Sequence, residues 1–141
     1  MAVELAARGF SVVGVDVDNG MLTAARVKNP ELEWIESDLS EVGGHIDGEF
    51  DLGVLAGNVM IFLGPGSEGR VLRELGACLA PGALLVAGFA VRPDRLPLEG
   101  YDQLARAAGL ERVARWATWD REPFTGGDYA VSVHRRLPPH D

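Results

Sequence analysis

The sequence predicts a three-layer α/β domain, with a mostly parallel sheet between helices and an antiparallel hairpin at its end. Three observations predict it. Apolar, β-branched runs alternate with segments of helical period as far as residue 90, the pattern of strand–helix–strand crossovers. Runs such as "SVVGV" and "ALLVAGF" show no polar face, as expected of strands covered by helices on both sides. The final two strand-like runs are separated by about ten residues, too few for a helical crossover, so they should pair antiparallel.

Each element has its own reason. Residues 1–9, "MAVELAARG", read as the tail of a helix stopped by Gly9, since glycine accepts the left-handed conformation at no cost in side-chain clash. Ser11 to Val15 is the first strand. Asp18 or Asn19 can cap a helix over Met21 to Lys28, which Asn29-Pro30 ends. "LEWIE" (Leu32 to Glu36) is a short strand, and "SDLSEVGGHIDGEF" is a polar connection with room for a helical turn. "FDLGVLAG" is the third strand. Ser67 can cap a helix with Val71, Leu72, Leu75, Cys78 and Leu79 along one side, ending at "APG" (Ala80 to Gly82) before the buried strand Ala83 to Phe89. "GYDQLARAAG" is a helix stopped by Gly109, "LERVARWAT" a strand, and "YAVSVHRR" alternates as an edge or antiparallel strand would. One domain, residues 1–136, is expected, with "LPPHD" (137–141) as a disordered tail.

Composition narrows the function classes. With 141 residues, 13 basic and 21 acidic side chains and a net charge of -8, the chain lacks the basic surface of a general nucleic-acid binder. Arg112, Arg115, Arg121, Arg135 and Arg136 cluster late in the chain and read as a solvated face. The single cysteine, Cys78, lies in an apolar run and reads as a buried structural thiol. No run approaches the ~18 to 20 apolar residues of a membrane span, and the amino end has no basic leader. A cytoplasmic location is the expectation.

In open α/β sheets ligands bind at the carboxyl ends of the strands. Those ends carry Asp16, Asp38, Gly57, Asn58 and Phe89. Asp16 closes the strand of a βα unit, where a carboxylate can accept both hydroxyl protons of an adenosine ribose; it lies too early in the turn to cap the helix well. Asp18 reads as that cap. Asp38 fits an Asx-turn with Ser40 as well as it fits a ligand. Gly57 and Asn58 are either turn chemistry or a binding loop at the mouth of a buried strand. His45 should be solvated, and His134 and His140 lie far along the chain from this end of the sheet. No histidine pair has metal-ligand spacing, and no nucleophile–base set converges. Trp116 and Trp119 read as packing rather than a stacking platform, and Phe124 either lines a substrate mouth or covers the sheet.

At "GVDVDNGML", "ESDLSE", "FDLGVLAGNVMIFL" and "LRELGACLAPGALLVAGF" the chain resembles the class I S-adenosylmethionine-dependent methyltransferases, and looks most like small bacterial members. The resemblance covers nearly the whole chain and implies a Rossmann-like methyltransferase fold. It implies that Asp16 holds the ribose hydroxyls of S-adenosylmethionine, with Val17 and Met21 near the adenine. Asp38 would accept from the adenine amino group, with the Leu39 backbone beside it. Ala56, Gly57 and Asn58 would pass close to the methionine portion and the reacting methyl. The acceptor would be a small molecule, since the signature of base-methylating relatives is absent; no general base can be named.

The family's first strand and glycine-rich loop have no counterpart in this sequence. A mis-assigned start at Met1, a deliberate truncation, or completion by another chain would each account for that. Two rivals stand beside the methyltransferase. A nicotinamide-dependent oxidoreductase domain would also place an acid at Asp16, but predicts a parallel final strand. A non-catalytic module would act through a partner chain, or as a homo-oligomer, by pairing its exposed sheet edge.

Overall fold

The computed structural model describes residues 7–9, 11–16, 18–46, 49–56, 59–61, 63, 66–92 and 94–138. In order they form β1 (Val13–Asp16), α1 (Asn19–Lys28), β2 (Glu33–Glu36), a 3-10 segment (Leu39–Gly44), β3 (Phe50–Leu55) and a 3-10 turn (Val59–Ile61). Then follow α2 (Glu68–Ala77), β4 (Leu79–Ala90), α3 (Leu98–Ala107), β5 (Leu110–Trp116) and β6 (Tyr129–Arg136). Of the expected amino-terminal helix only residues 7–9 are described; Ala7 is helical and Gly9 takes φ +93°, the left-handed stop its position implied.

Asp18 and Gly109 act as expected, whereas Ser67 stands at the N-cap of α2 without a side-chain capping bond. Asp18 Oδ1 accepts from the Gly20 and Met21 amides at 2.8 and 3.2 Å and caps α1, satisfying two of the donors that every helix start leaves open. Gly109 ends α3 with φ +81°.

The strands fall into two groups. β1 and β2 pair parallel, and β3, β4, β6 and β5 form a second sheet in that order. β3 and β4 are parallel, whereas β6 runs antiparallel to both β4 and β5, so the closing hairpin is real. No strand among the described residues lies between β1 and β3, and each has one backbone edge unpaired. The groups are joined through the segment after β2. The Gly43 amide donates to Glu74 Oε1 of α2 at 3.2 Å, and Leu39 packs on the core beneath that helix.

α2 and α3 cover one face of the larger sheet. Leu72, Tyr101 and Ala105 meet Leu55, Leu85, Ala87 and Phe89, each large side chain contributing about 1.5–3 kcal/mol on burial. The opposite face is less well covered. Leu84 and Val86 are half-buried and Leu52 is 37% exposed.

Several expectations are corrected. α2 stops at Ala77, and β4 begins at Leu79 rather than Ala83. "APG" is an excursion inside the strand: Phe50 pairs with Leu79 and Leu52 with Leu84, so β4 carries extra residues, with Gly82 at φ +85°. β1 is half-exposed throughout rather than buried on both faces, as its open edge requires. β6 is no edge strand but lies between β4 and β5, with Ala130 to His134 all buried. Leu137, placed in the expected tail, is tied down by its amide, which donates to the Gly109 carbonyl at 2.9 Å; residues 139–141 lie outside the described residues.

Candidate functional site

The ends of β1 and β2 are brought level by their parallel register. Asp16 pairs with Glu36, and the Ser37 amide donates to the Asp16 carbonyl at 2.9 Å. This places Asp16 and Asp38 together at the carboxyl end of the smaller sheet. The chain can pass tightly here because residue 14 is glycine. A Cβ at Gly14 would collide with the Trp34 ring, whose Nε1 is fixed on the Asn29 carbonyl at 3.0 Å.

Each carboxylate splits its duties. Asp16 Oδ1 accepts from the Asp18 amide at 2.9 Å, so this residue braces its own turn, the plainer reading of an aspartate at a strand's end. Its Oδ2 has no hydrogen-bond partner among the described residues. Asp38 Oδ1 accepts from both the amide and the hydroxyl of Ser40, each at 2.8 Å; this is the Asx-turn of the plainer reading. Those two bonds, the amide first, hold the Asp38 carboxyl below its ordinary range. Its Oδ2 is likewise without a described partner. Two carboxylate oxygens remain able to accept, at the place where the resemblance puts an adenosine.

Met21 sits in the first turn of α1, 63% exposed, beside this cluster. Leu39 follows Asp38, its side chain turned into the core. Ala56 is half-buried at the exit of β3, one residue past the Leu55–Ala87 pair. Val17, Gly57 and Asn58 lie outside the described residues. The structure thus gathers Asp16, Met21 and Asp38 at one sheet and carries Ala56 at the end of the other.

A second polar cluster escaped the sequence reading. Arg115, expected on a solvated face, has a side chain only 10% exposed. It donates to Asp102 of α3 through both Nη atoms (3.1 and 2.6 Å) and to Ser132 Oγ at 2.9 Å. Arg112 lies 3.5 Å from the same carboxylate. His134 Nε2 lies 3.2 Å from it, within ion-pair distance but out of hydrogen-bond line, and the ring is fully buried against Tyr101. Burial pushes the His134 pKa down, and the neighbouring Asp102 only partly opposes this. The missed signal was the period-2 pattern of β6, which puts Ser132 and His134 on the α3 face. Cys78 is buried, free and raised in pKa by that burial, as its apolar run implied. Among the described residues no group of histidine, cysteine and acidic side chains could hold a metal, and no helix is long and apolar enough to cross a membrane.

Comparison with known proteins decides what this architecture is. A family model described as "Methyltransferase domain" matches residues 1–82. The chain belongs to that methyltransferase family. No curated protein matches it. Among solved structures, a TehB-like SAM-dependent methyltransferase from Corynebacterium glutamicum is 29% identical with a TM-score of 0.85, covering 96% of this chain and 73% of that one. The CcbJ methyltransferase from Streptomyces caelestis is 20% identical with a TM-score of 0.80, over 97% of this chain and 79% of that chain. A SAM-dependent methyltransferase from Clostridium acetobutylicum shares only 9% identity at a TM-score of 0.84, over 96% and 79%. The last two speak for the fold alone. The fold is the Rossmann-like fold of class I methyltransferases, and the cofactor of this methyltransferase family is S-adenosylmethionine. The antiparallel β6 removes the main ground for the nicotinamide alternative, which called for a parallel final strand.

Proposed function

We propose that this methyltransferase holds the adenosine of S-adenosylmethionine at the ends of β1 and β2 and passes its methyl to a small-molecule acceptor. The observation that carries the reading is the pair of carboxylate oxygens left free at Asp16 and Asp38 by turns that fix their other oxygens. A carboxylate so braced is pre-oriented, and little side-chain entropy is left to lose when a hydroxyl or amino group docks. Asp16 would accept from the ribose and Asp38 from the adenine amino group. Val17, Met21 and the Leu39 backbone would serve the adenine, and Ala56, Gly57 and Asn58 the methionine portion.

When bound, the cofactor's sulfonium would supply an electrophilic methyl group for transfer to an acceptor lone pair. The protein's part is alignment, which supplies most of the rate in such transfers. Asn58 is the side chain nearest in sequence to that step and serves as an orienter; a proton lost by the acceptor goes to water.

The open edges of β1 and β3 support a further element of the reading. A further parallel strand between them, from this chain or from another, would carry a loop toward the methionine portion. Calorimetric titration tests both parts. The 141-residue chain, and a form extended by the upstream genomic codons, are titrated with S-adenosylhomocysteine and with NAD. We expect S-adenosylhomocysteine to bind and NAD not to, with tighter binding in the extended form. Binding of NAD alone would refute the function. Failure of both ligands in both forms would favour the non-catalytic module acting through a partner chain.

A further inference from the structure

We propose that Trp119 is a stacking platform for a planar aromatic acceptor, with the Tyr129 hydroxyl as a polar contact at its rim. This rests on the methyltransferase reading, and adds the acceptor class. Leu55–Ala87 is the last pair of β3 on β4, and Ala56 and Gly88 are the next residues along the two chains. Directly over Gly88 stand the Trp119 ring and the Tyr129 hydroxyl. A Cβ built at Gly88 would come within 2.5 Å of the indole and 2.6 Å of the phenol oxygen. Phe89 points the other way, to Tyr101 under α3. The Trp119–Tyr129 pair therefore occupies the opposite face of β4, at the carboxyl end.

Trp119 is held there rather than merely left outside. Its Nε1 donates to the Tyr129 hydroxyl at 3.0 Å. Its turn is closed by Arg121 N–H to the Thr118 carbonyl (3.1 Å) and Asp120 N–H to Thr118 Oγ1 (3.2 Å). The flanking chain is clamped by Ala117 N–H to the Glu122 carbonyl at 2.7 Å. Arg121 takes φ 66°, the only described non-glycine residue at positive φ, a conformation that surrounding structure must impose. Yet the indole remains 39% exposed. A large aromatic face that is rigid and open is what a flat π-system needs, because its stacking costs no rearrangement. The Tyr129 oxygen, already accepting from Trp119, keeps its own proton to donate to an oxygen substituent on the acceptor.

Saturation-transfer NMR with 2-naphthol and its saturated counterpart decahydro-2-naphthol, each in excess S-adenosylhomocysteine, tests the inference. Both probes carry one hydroxyl on the same ring skeleton and differ in flatness. Wild type should bind 2-naphthol at least about tenfold more tightly than the saturated probe, and Trp119→Ala should lose about that factor. Trp119→Phe should keep most of the affinity, and Gly88→Ala, which drives the indole off its seat, should lose it. Thermal melts and S-adenosylhomocysteine titration of each variant check that fold and cofactor site persist. Equal binding of the two probes, no binding of 2-naphthol, or indifference to Trp119→Ala in a folded protein would overturn the platform. If neither wild type nor the extended form takes S-adenosylhomocysteine, the proposed cofactor site falls instead. Trp119-dependent binding of 2-naphthol would then still uphold the platform, and its absence would overturn it.

Discussion

Asp16 shows that bracing a turn does not use up a carboxylate. Its Oδ1 braces the turn into α1, and its Oδ2 has no hydrogen-bond partner among the described residues, so bracing and the proposed binding are compatible. The sequence made Asp18 legible as a cap, because a short acceptor one residue ahead of a helix has a single strong use. It left Asp38 open, since an Asx-turn and a ligand contact demand the same residue. His134 was not legible at all: nothing local marks a histidine as buried until the strand beside it is known. Its burial has a pH consequence. The folded state depresses its pKa below the ordinary value near 6.5, so the unfolded chain binds the proton first. Stability should be complete above about pH 6.5 and fall as pH drops below it. Urea denaturation at pH 7.5 and 5.5 should show that loss, and His134→Asn should flatten it. A wild type equally stable at both pH values would contradict the assignment.

At the scale of elements, α3 is fastened to the sheet by charge as well as by Tyr101 and Ala105. Asp102 on α3 binds Arg115 of β5 through two bonds, and Ser132 of β6 takes the third guanidinium donor. Asp102→Ala would leave a mostly buried guanidinium facing a buried histidine, and should destabilise the fold by about 2–4 kcal/mol. Chemical denaturation measures this, and a loss within about 0.5 kcal/mol, usual for exposed surface sites, would show the cluster to be incidental. Most elements were legible because caps and stops are local: Asp18, Asn29, Gly9 and Gly109 all act where they stand. The join of α2 to β4 was not. "ACLAPG" carries a helical face and a turn signal together, and only pairing of Phe50 with Leu79 makes Leu79 part of a strand. The interior place of β6 was hidden for the same reason, since pairing partners far along the chain decide which strand forms the edge.

Across the whole molecule, the alternation of strands and helices foretold the parallel order, and the short final connection foretold the antiparallel hairpin. Among the described residues the strands divide into a two-stranded and a four-stranded sheet. What could not be read is how unevenly this distributes stability. The four-stranded sheet has β4 and β6 paired on both sides, whereas β1 and β2 are short and half-exposed. Amide exchange should therefore be slowest in Ala83–Phe89 and Ala130–His134 and much faster in β1 and β2, since local opening costs least where burial is least. Uniform protection across both sheets would count against the division. Asp16 and Asp38, the carboxylates proposed to hold the cofactor, stand on the weaker part, so ligand binding should slow exchange there most.

The Asp16 assignment is tested most directly by Asp16→Asn. The amide oxygen can keep the bond to the Asp18 N–H, so the turn persists, but the NH₂ group cannot accept a ribose hydroxyl. Calorimetry would compare S-adenosylhomocysteine with its 2′-deoxyribose analogue on both proteins. The variant should bind S-adenosylhomocysteine more weakly by about 1.5 kcal/mol, roughly tenfold, and the deoxy analogue with little further loss. Undiminished affinity of Asp16→Asn for S-adenosylhomocysteine would contradict the account.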